Sequence, residues 1–331
     1  MRPDPPSAQS GAGPTAVPPT SAAPSAVPPP RTGVGLALAL GVAAVSCAAI
    51  LITFARQQGV PALSIAALRL ALASAVVVPV ALLRCRREIR GLSPGNLGLA
   101  ALSGLFLALH FGFWTTSLDS TSVMSSVVFV STNPLFVALA SALLFRERLG
   151  PSTLAGIGIA VAGGAIVGFL DAAQSGTASA RGDLLALLGA VSASAYLLVG
   201  RRVRPRMSLP LYVGIVYLVA AACLLLVVGI TGTPLQLSRP RGMLWVAALA
   251  LGPQLLGHTS YNYALRYVSA TLVTVTLLAE PVGATILAIL LLGQVPTWPS
   301  AAGGVLILAG IFVAARGEAR TGRRTASGVG R

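Results

Sequence analysis

Residues 117–167, SLDSTSVMSSVVFVSTNPLFVALASALLFRERLGPSTLAGIGIAVAGGAIV, align without a gap with residues 264–314, ALRYVSATLVTVTLLAEPVGATILAILLLGQVPTWPSAAGGVLILAGIFVA, at an offset of 147 positions. Ten of the 51 aligned pairs are identical, and they include the intrahelical prolines Pro134 and Pro281. If five membrane spans fit within that offset, the second half crosses the bilayer in the opposite sense to the first. This pattern indicates an inverted repeat, an architecture strongly associated with secondary transporters.

The composition of the chain is that of an integral membrane protein. Of its 331 residues, 55% are hydrophobic and only 9% are charged, and the mean hydropathy is +0.84. The predicted fold is therefore an all-α integral membrane protein with ten transmembrane helices in two inverted five-helix repeats. The predicted helices cover about residues 34–54, 61–83, 97–117, 121–145, 151–170, 183–200, 210–230, 243–265, 270–292 and 298–315.

All 23 basic residues are arginines, and their placement predicts the orientation of the chain. With the N-terminus inside, 18 arginines fall in inside regions and four in outside loops, while Arg69 lies within a helix. This asymmetry follows the positive-inside rule and predicts that both termini are cytoplasmic. The net charge of +15 is thus a topology signal rather than a nucleic-acid-binding patch.

The absence of lysine from the sequence excludes two kinds of chemistry. A Walker A loop and a pyridoxal-phosphate enzyme both depend on a lysine. The three cysteines are scattered, so they predict neither a disulfide framework nor a metal cluster. We therefore expect a protein without enzymatic activity or cofactor. The exclusive use of arginine indicates a GC-rich bacterial genome and hence a bacterial plasma membrane.

The chain divides into four parts. Residues 1–31 are rich in Pro, Ala and Ser and predict a disordered N-terminal tail. The two repeats are expected at 34–170 and 183–315, joined by the longest loop near 171–182, and a basic C-terminal tail follows at 316–331.

The chain resembles the EamA-type members of the drug/metabolite transporter superfamily over essentially all of 34–315. The likeness is carried by ALRYVSATLVTVTLLAEPVGATILAILLLGQ (264–294) with GGVLILAG (303–310), and by their first-half counterparts in 117–150 and 156–164. The resemblance implies two inverted five-helix repeats around a central cavity, and alternating access for small metabolites, often in export.

Several polar positions can be compared with that family. Arg69 matches a position that the family often fills with arginine. Asn133 and Gln294 stand where it often has glutamate, whereas Glu147 keeps the corresponding carboxylate in the first repeat. These two departures argue against a mechanism that requires an acidic residue at both repeat positions.

Glu280 is the sharpest candidate for a functional residue. It lies about ten residues into the ninth predicted helix, where a carboxylate costs roughly 2.5–3.5 kcal/mol unless it faces water, a partner or the bundle interior. Pro281 cannot donate a hydrogen bond, so the carbonyl of Leu277 is left free nearby. The pair predicts a proton or cation site. The alternative is a neutral or ion-paired Glu280 that holds helices together.

Arg69 has three interpretations. It lies about eight residues into the second predicted helix, roughly 12 Å from the helix end. Its guanidinium either faces the cavity and holds a substrate carboxylate, forms a structural ion pair, or extends toward the outer interface.

Further polar side chains fall on predicted helices three, four and eight. Against lipid such faces are costly, so each predicts either a cavity wall or an interhelical hydrogen bond. Together they suit an amphipathic solute with an apolar body and a few hydrogen-bonding groups. The two histidines are too few and too isolated to predict a metal site. These residues are His110, Trp114, Asn133, Gln254, His258, Tyr261 and Asn262.

The sequence thus predicts a secondary active transporter that exports a small organic metabolite, such as an amino acid, a nucleoside or a drug-like compound, with proton coupling through Glu280 as an option. A lipid-linked substrate flippase or an accessory membrane subunit is the alternative. The expected partners are the lipid bilayer, the solute and protons, without nucleic acid. Substrate, direction of transport and oligomeric state stay open, with a homodimer among the options.

Overall fold

A computed structural model describes residues 31–145, 150–175 and 177–328, and every regular element in those ranges is a helix. This confirms the predicted all-α class. Short 3-10 turns occupy Arg204–Arg206 and Leu277–Ala279, and Ala250–His258 is π-helical. The α-helices are α1 (Arg31–Ser46), α2 (Ala48–Gln57), α3 (Ala62–Arg84), α4 (Arg86–Arg90), α5 (Pro94–Ser117), α6 (Val123–Val130), α7 (Asn133–Phe145), α8 (Pro151–Ser175), α9 (Thr177–Val203), α10 (Leu209–Thr231), α11 (Pro240–Leu249), α12 (Thr259–Ala264), α13 (Ala270–Thr276), α14 (Glu280–Leu292) and α15 (Trp298–Gly328).

Seven helical segments in the described ranges are long and apolar enough to cross a membrane, so the protein is a multi-pass membrane protein. Two shorter apolar helices, Pro151–Gly164 and Ala301–Ala314, lie within α8 and α15. The predicted count of ten spans stays a prediction. The seven segments are Thr32–Gln57, Ala62–Arg84, Pro94–Ser117, Val123–Ala140, Ala180–Arg206, Leu209–Thr231 and Ala270–Leu292.

Two of these spans are interrupted at equivalent positions of the sequence repeat. Helix α6 ends at Val130 and α7 begins at Asn133, while α13 ends at Thr276 and α14 begins at Glu280. Each new helix has a proline as its second residue, Pro134 or Pro281. Proline lacks an amide N–H and cannot continue the preceding helical hydrogen-bond ladder. The prolines therefore favour a new helix start at each position, although Pro79 inside the uninterrupted α3 shows that a proline alone does not break a span.

Helices of the first half pack mainly on helices of the second. The α1 helix contacts the π-helical segment and α12, α2 contacts α11, and α5 contacts α9. Helices α3 and α10 form another pair, α8 and α15 pack along each other, and α6 and α7 contact α14 and α13 respectively. The core thus lies between the halves rather than within either one.

The α8–α15 pair approaches so closely because glycines face each other. A Cβ atom built on Gly163 would lie 2.7 Å from the carbonyl oxygen of Gly303 and 2.8 Å from the amide nitrogen of Ile307. Gly310 makes an equally close approach to the backbone of Ala160. Small residues at such contacts let two helix backbones pack together within the membrane.

The structure corrects one expectation about the connections. No long loop separates the halves at 171–182, because α8 continues to Ser175 and α9 begins at Thr177. Helix α15 continues beyond residue 315 to Gly328. The predicted tail up to residue 30 and Glu147 lie outside the described residues.

Candidate solute cavity

A cavity opens where the two interrupted spans meet α5, α9 and the end of the π-helical segment. The space in which the centre of a water molecule fits has a volume of about 50 Å³. The wall combines apolar side chains with a small number of polar ones, as is usual for sites that bind organic molecules. It is formed by Val45, Ala48, His110, Trp114, Val130, Ser131, Asn133, Ala193, Tyr196, Leu197, His258, Tyr261, Leu277 and Glu280.

The two helix breaks each contribute one polar residue to this wall. Asn133 and Glu280 occupy equivalent repeat positions and are the first residues of α7 and α14. The buried Oδ1 atom of Asn133 has no hydrogen-bond partner. Glu280 is partly exposed, and no hydrogen bond to its carboxylate forms among the described residues. Both groups are therefore available to a solute, an ion or water.

Imidazole and aromatic rings form the opposite part of the wall. His110 stacks on Trp114 with ring centroids 5.9 Å apart, and its Nδ1 lies 3.0 Å from the carbonyl oxygen of Gly189. Because a carbonyl oxygen only accepts hydrogen bonds, Nδ1 carries the proton and Nε2 of the neutral ring is an acceptor. His258 contacts the rings of His110, at 6.3 Å, and of Tyr261, at 6.0 Å.

Several polar atoms at these rings are buried without a partner. They are Nε1 of Trp114, Nδ1 of His258 and the hydroxyl of Tyr261. Buried polar groups are normally hydrogen-bonded, and each exception calls for an explanation such as water or a ligand. The wall thus offers hydrogen-bond donors on Trp114 and Tyr261 to a molecule in the cavity. The Nδ1 atom of His258 donates or accepts according to the tautomer of the ring.

Arg69 lies one layer behind the wall. Its side chain is fully buried, Nη2 donates to Oε1 of Gln254 at 3.1 Å, and the guanidinium lies 4.1 Å from the ring centroid of Phe111. Extension to the outer interface is therefore wrong for this structure. Arg69 interacts electrostatically with Glu280, but the two form no salt bridge. Its Nε and Nη1 atoms have no partner.

Gln254 and Asn262 do not line the cavity either. Asn262 donates from Nδ2 to the hydroxyl of Tyr196 at 2.6 Å and to the carbonyl oxygen of His258 at 2.9 Å. Gln254 holds Arg69. Both amides thus position side chains near the wall. Of the nine candidate binding residues, six line the cavity, and Arg69, Gln254 and Asn262 stand behind it.

Sequence reasoning missed Tyr196 and Ser131. The ring of Tyr196 lies 6.3 Å from that of His258, and its hydroxyl accepts the Asn262 hydrogen bond. The available signal was a tyrosine, one of six in the chain, within the predicted sixth helix. Ser131 lies in the turn before α7, where the proline-induced break turns backbone and side chain toward the cavity.

Loop contacts join the halves at both ends of the bundle. At one end, Nη1 of Arg239 donates to the carbonyl oxygen of Gln58 at 2.9 Å. At the other end, the amide of Ser208 donates to Oε1 of Glu88 at 2.7 Å. We call these the Gln58 end and the Glu88 end. In each contact, the connection after the second helix of one half binds the connection after the first helix of the other half.

An ion pair lies at the Gln58 end. Nη2 of Arg56 is 2.6 Å from Oδ1 of Asp119, and Nη1 donates to the carbonyl oxygen of Leu118 at 2.5 Å. Partial burial raises the pKa of the Asp119 carboxyl, and the nearby charges of Arg56 and Arg181 lower it by less. The pair therefore links the end of α2 to the turn after α5.

The sequence profile that this chain matches places it in a class of membrane transporters. The chain is a member of the EamA-like transporter family, whose sequence profile matches residues 35–169 and again 180–316. It is 26% identical over 216 residues to the uncharacterized transporter YdfC of Bacillus subtilis (strain 168), covering 65% of this chain and 68% of YdfC.

A solved protein crystal structure is also similar. It is 24% identical in sequence, covers 86% of this chain and 98% of its own, and superposes with a TM-score of 0.61. At this identity the likeness concerns the fold alone.

Proposed function

We propose that the protein is a secondary active transporter that exports a small organic metabolite across the bacterial plasma membrane by alternating access. The observation that carries the proposal is the cavity between two spans, each interrupted at the same repeat position. Interrupted helices that meet between repeats are the usual setting of solute sites in transporters. Membership of a transporter family favours transport over catalysis.

An arrangement of ten helices in two inverted repeats is supported by the pattern of helix contacts. The first of the ten helices comprises α1 and α2, and it contacts the eighth, which includes α11 and α12. When the two halves are exchanged, this contact corresponds to that of the sixth helix, α9, with the third, α5. The exchange leaves the α3–α10 and α8–α15 pairs unchanged. The arginine distribution supports cytoplasmic termini.

Alternating access requires that each end of the cavity can close. The contacts at the Gln58 end and the Glu88 end join opposite halves and are related by the same exchange. Rocking of one repeat against the other would break one contact while keeping the other.

Glu280 is the proposed coupling residue. Its carboxylate lies in the cavity wall midway along the span Ala270–Leu292 and has no hydrogen-bond partner within the described chain. A carboxylate at such depth gains or loses a proton according to its access to water and to neighbouring charge. Arg69 supplies a fixed positive charge nearby.

The solute fits best as an amphipathic molecule with an apolar or aromatic body. The rings of His110, Trp114, His258 and Tyr261 provide stacking surfaces, and the unpartnered polar atoms provide a few hydrogen bonds. Amino acids, nucleosides and drug-like compounds all meet this description. A lipid-linked flippase is the second candidate, and its substrate would need room for a long apolar tail beside the polar groups of the wall.

The first test compares culture media. Cells expressing the wild type and cells expressing Glu280→Gln, at matched membrane levels, are analysed by untargeted mass spectrometry. We expect a metabolite that accumulates outside only with the wild type. Proteoliposomes then separate coupling from binding, because Glu280→Gln should lose gradient-driven transport and keep solute exchange. Wild-type export that persists unchanged in Glu280→Gln would rule out the coupling role.

A further inference from the structure

A second cleft lies at the Glu88 end, away from the solute cavity. It has a volume of about 380 Å³ and is formed by the end of α3 and the short helix α4. Three exposed arginines and one glutamate contribute charge, so the cleft is positive overall. The lining residues are Leu83, Arg84, Cys85, Arg86, Arg87 and Glu88.

The carboxylate in this cleft already has a partner. Oε1 of Glu88 accepts the amide of Ser208, and Sγ of Cys85 lies 3.3 Å from the Ser208 hydroxyl. Within the described part of the chain, Arg86 is the one of the three arginines whose side chain makes a hydrogen bond, from Nε to the carbonyl oxygen of Leu82 at 3.3 Å. The guanidinium groups of Arg84 and Arg87 are free to bind an anion from outside the protein.

An apolar stripe along α3 leads directly to the cleft. The four residues Leu72, Val76, Val80 and Leu83 recur every three or four positions and therefore share one face of the helix. They are 42%, 50%, 37% and 67% exposed respectively, so this face is covered by neither half of the protein. In a membrane it faces acyl chains. Helix α3 spans about 34 Å at about 1.5 Å per residue, which brings its last turn to headgroup depth.

We propose that this cleft binds the phosphate headgroup of an anionic phospholipid, with an acyl chain lying along the α3 stripe. The chemistry is a phosphate monoanion held by guanidinium groups, which match its geometry and charge. The acyl groove favours a lipid over free phosphate as the source of that anion. A basic cleft at the arginine-rich membrane face is a recognised setting for such headgroups.

The other arginine cluster of the same face serves as a control, because its centre is used internally. Arg204 is buried and donates from Nε to the carbonyl oxygen of Asn262 at 2.8 Å and from Nη1 to that of Met207. Arg201 and Arg202 are exposed and do not line the cleft at α3 and α4. They carry the same charge at the same end of the bundle but outside that cleft.

The test measures bound lipid on the purified full-length protein by native mass spectrometry. Wild-type protein is titrated with phosphatidylglycerol, which is anionic, and with phosphatidylcholine, which has no net charge. We expect preferential retention of phosphatidylglycerol, about fivefold weaker for each arginine removed in Arg84→Gln/Arg87→Gln. The Arg201→Gln/Arg202→Gln control should bind as the wild type does. Inorganic phosphate in excess should not displace the lipid.

Three results would overturn the proposal. One is equal retention of the two lipids by the wild type, which needs no variant and so holds even if the arginine variants fail to insert. Another is equal loss in both arginine pairs, which would indicate a general charge effect. Displacement by inorganic phosphate alone would identify a free-anion site instead. The inference is independent of the transported solute, so it can fail or stand separately from the proposed function.

Discussion

Replacement of Gly163 by alanine is expected to weaken the contact between α8 and α15, whereas the same replacement at Gly158 is not. The new methyl group at Gly163 would lie 2.7 Å from the carbonyl oxygen of Gly303, which is a backbone atom that cannot rotate away. At Gly158, on the same helix, nothing lies within 4 Å of the added atom.

The magnitude follows from what the two variants share. Both gain up to about 1 kcal/mol because alanine favours a helix over glycine. Only Gly163→Ala carries the cost of overpacking, which is typically about 1–3 kcal/mol. The difference between the two variants therefore isolates the packing term, since helix propensity cancels. We expect Gly163→Ala to be less stable than Gly158→Ala by about 1–3 kcal/mol.

The assay is unfolding by sodium dodecyl sulfate in mixed micelles, followed by circular dichroism. Gly158→Ala should unfold at the wild-type midpoint or above it, and Gly163→Ala below it. Equal midpoints for the two variants would refute the reasoning, because they would mean that α8 and α15 separate without cost. A low midpoint for Gly158→Ala would show instead that glycine is needed for another reason.

Three further predictions test the loop contacts and the cavity. Arg239→Ala removes the guanidinium that binds the Gln58 carbonyl, so a cysteine introduced into the cavity wall should be labelled faster from the Gln58 end, whereas Arg241→Ala should leave the labelling rate unchanged. Equal rates would mean that this contact does not hold the end closed. Asp119→Asn should leave stability at neutral pH unchanged or raise it, because the raised pKa of Asp119 means that its charged form is disfavoured in the folded state. For the same reason, the contribution of Asp119 to the stability of the wild type should grow as pH falls through the raised pKa. Thermal unfolding of Asp119→Asn should lack this pH-dependent contribution. A lower melting temperature for Asp119→Asn at neutral pH would show that the ion pair with Arg56 dominates instead. Trp114→Ala should weaken solute binding by about 0.5–1.5 kcal/mol through loss of ring stacking, while Trp298→Ala, at an 83% exposed position, should not. A competition binding assay on the exported metabolite decides this, and equal affinities for wild type and Trp114→Ala would remove Trp114 from the site.

The helical class of the chain could be predicted because long apolar runs have few alternatives in a bilayer. The interruptions at Pro134 and Pro281 could be predicted in part, because proline cannot donate to the helical ladder, but Pro79 lies inside the uninterrupted α3 and shows that packing also decides. Grouping Asn133 and Glu280 needed only the repeat offset. These inferences depend on local chemistry, which the sequence carries in full.

The face presented by the eighth predicted helix was harder to derive. A regular helix of 3.6 residues per turn places Gln254 and Asn262 on the same side as His258 and Tyr261. Residues 250–258 are π-helical, with Pro253 inside the segment, so the side chains rotate relative to that expectation. Gln254 therefore reaches Arg69 rather than the cavity. Such a register change depends on packing against α1 and α3, which periodicity does not encode.

The loop expected at 171–182 failed for a related reason. Its Gly, Ser and Thr residues favour turns in isolation, yet α8 extends to Ser175 and α9 begins at Thr177. Composition gave the point where the halves join, but not how far each helix continues beyond its apolar part.

In the proposed inverted-repeat arrangement, the pairing of Asn133 with Glu280 has a consequence for how charge is distributed between the two halves. Two identical subunits would have to place the same side chain on both sides of the cavity, and two carboxylates sharing one dry site repel each other so strongly that both rarely ionise. In a single chain the two positions vary independently, and here one is a neutral amide. Joining the proposed repeats covalently thus lets the described cavity wall hold one carboxyl group instead of two.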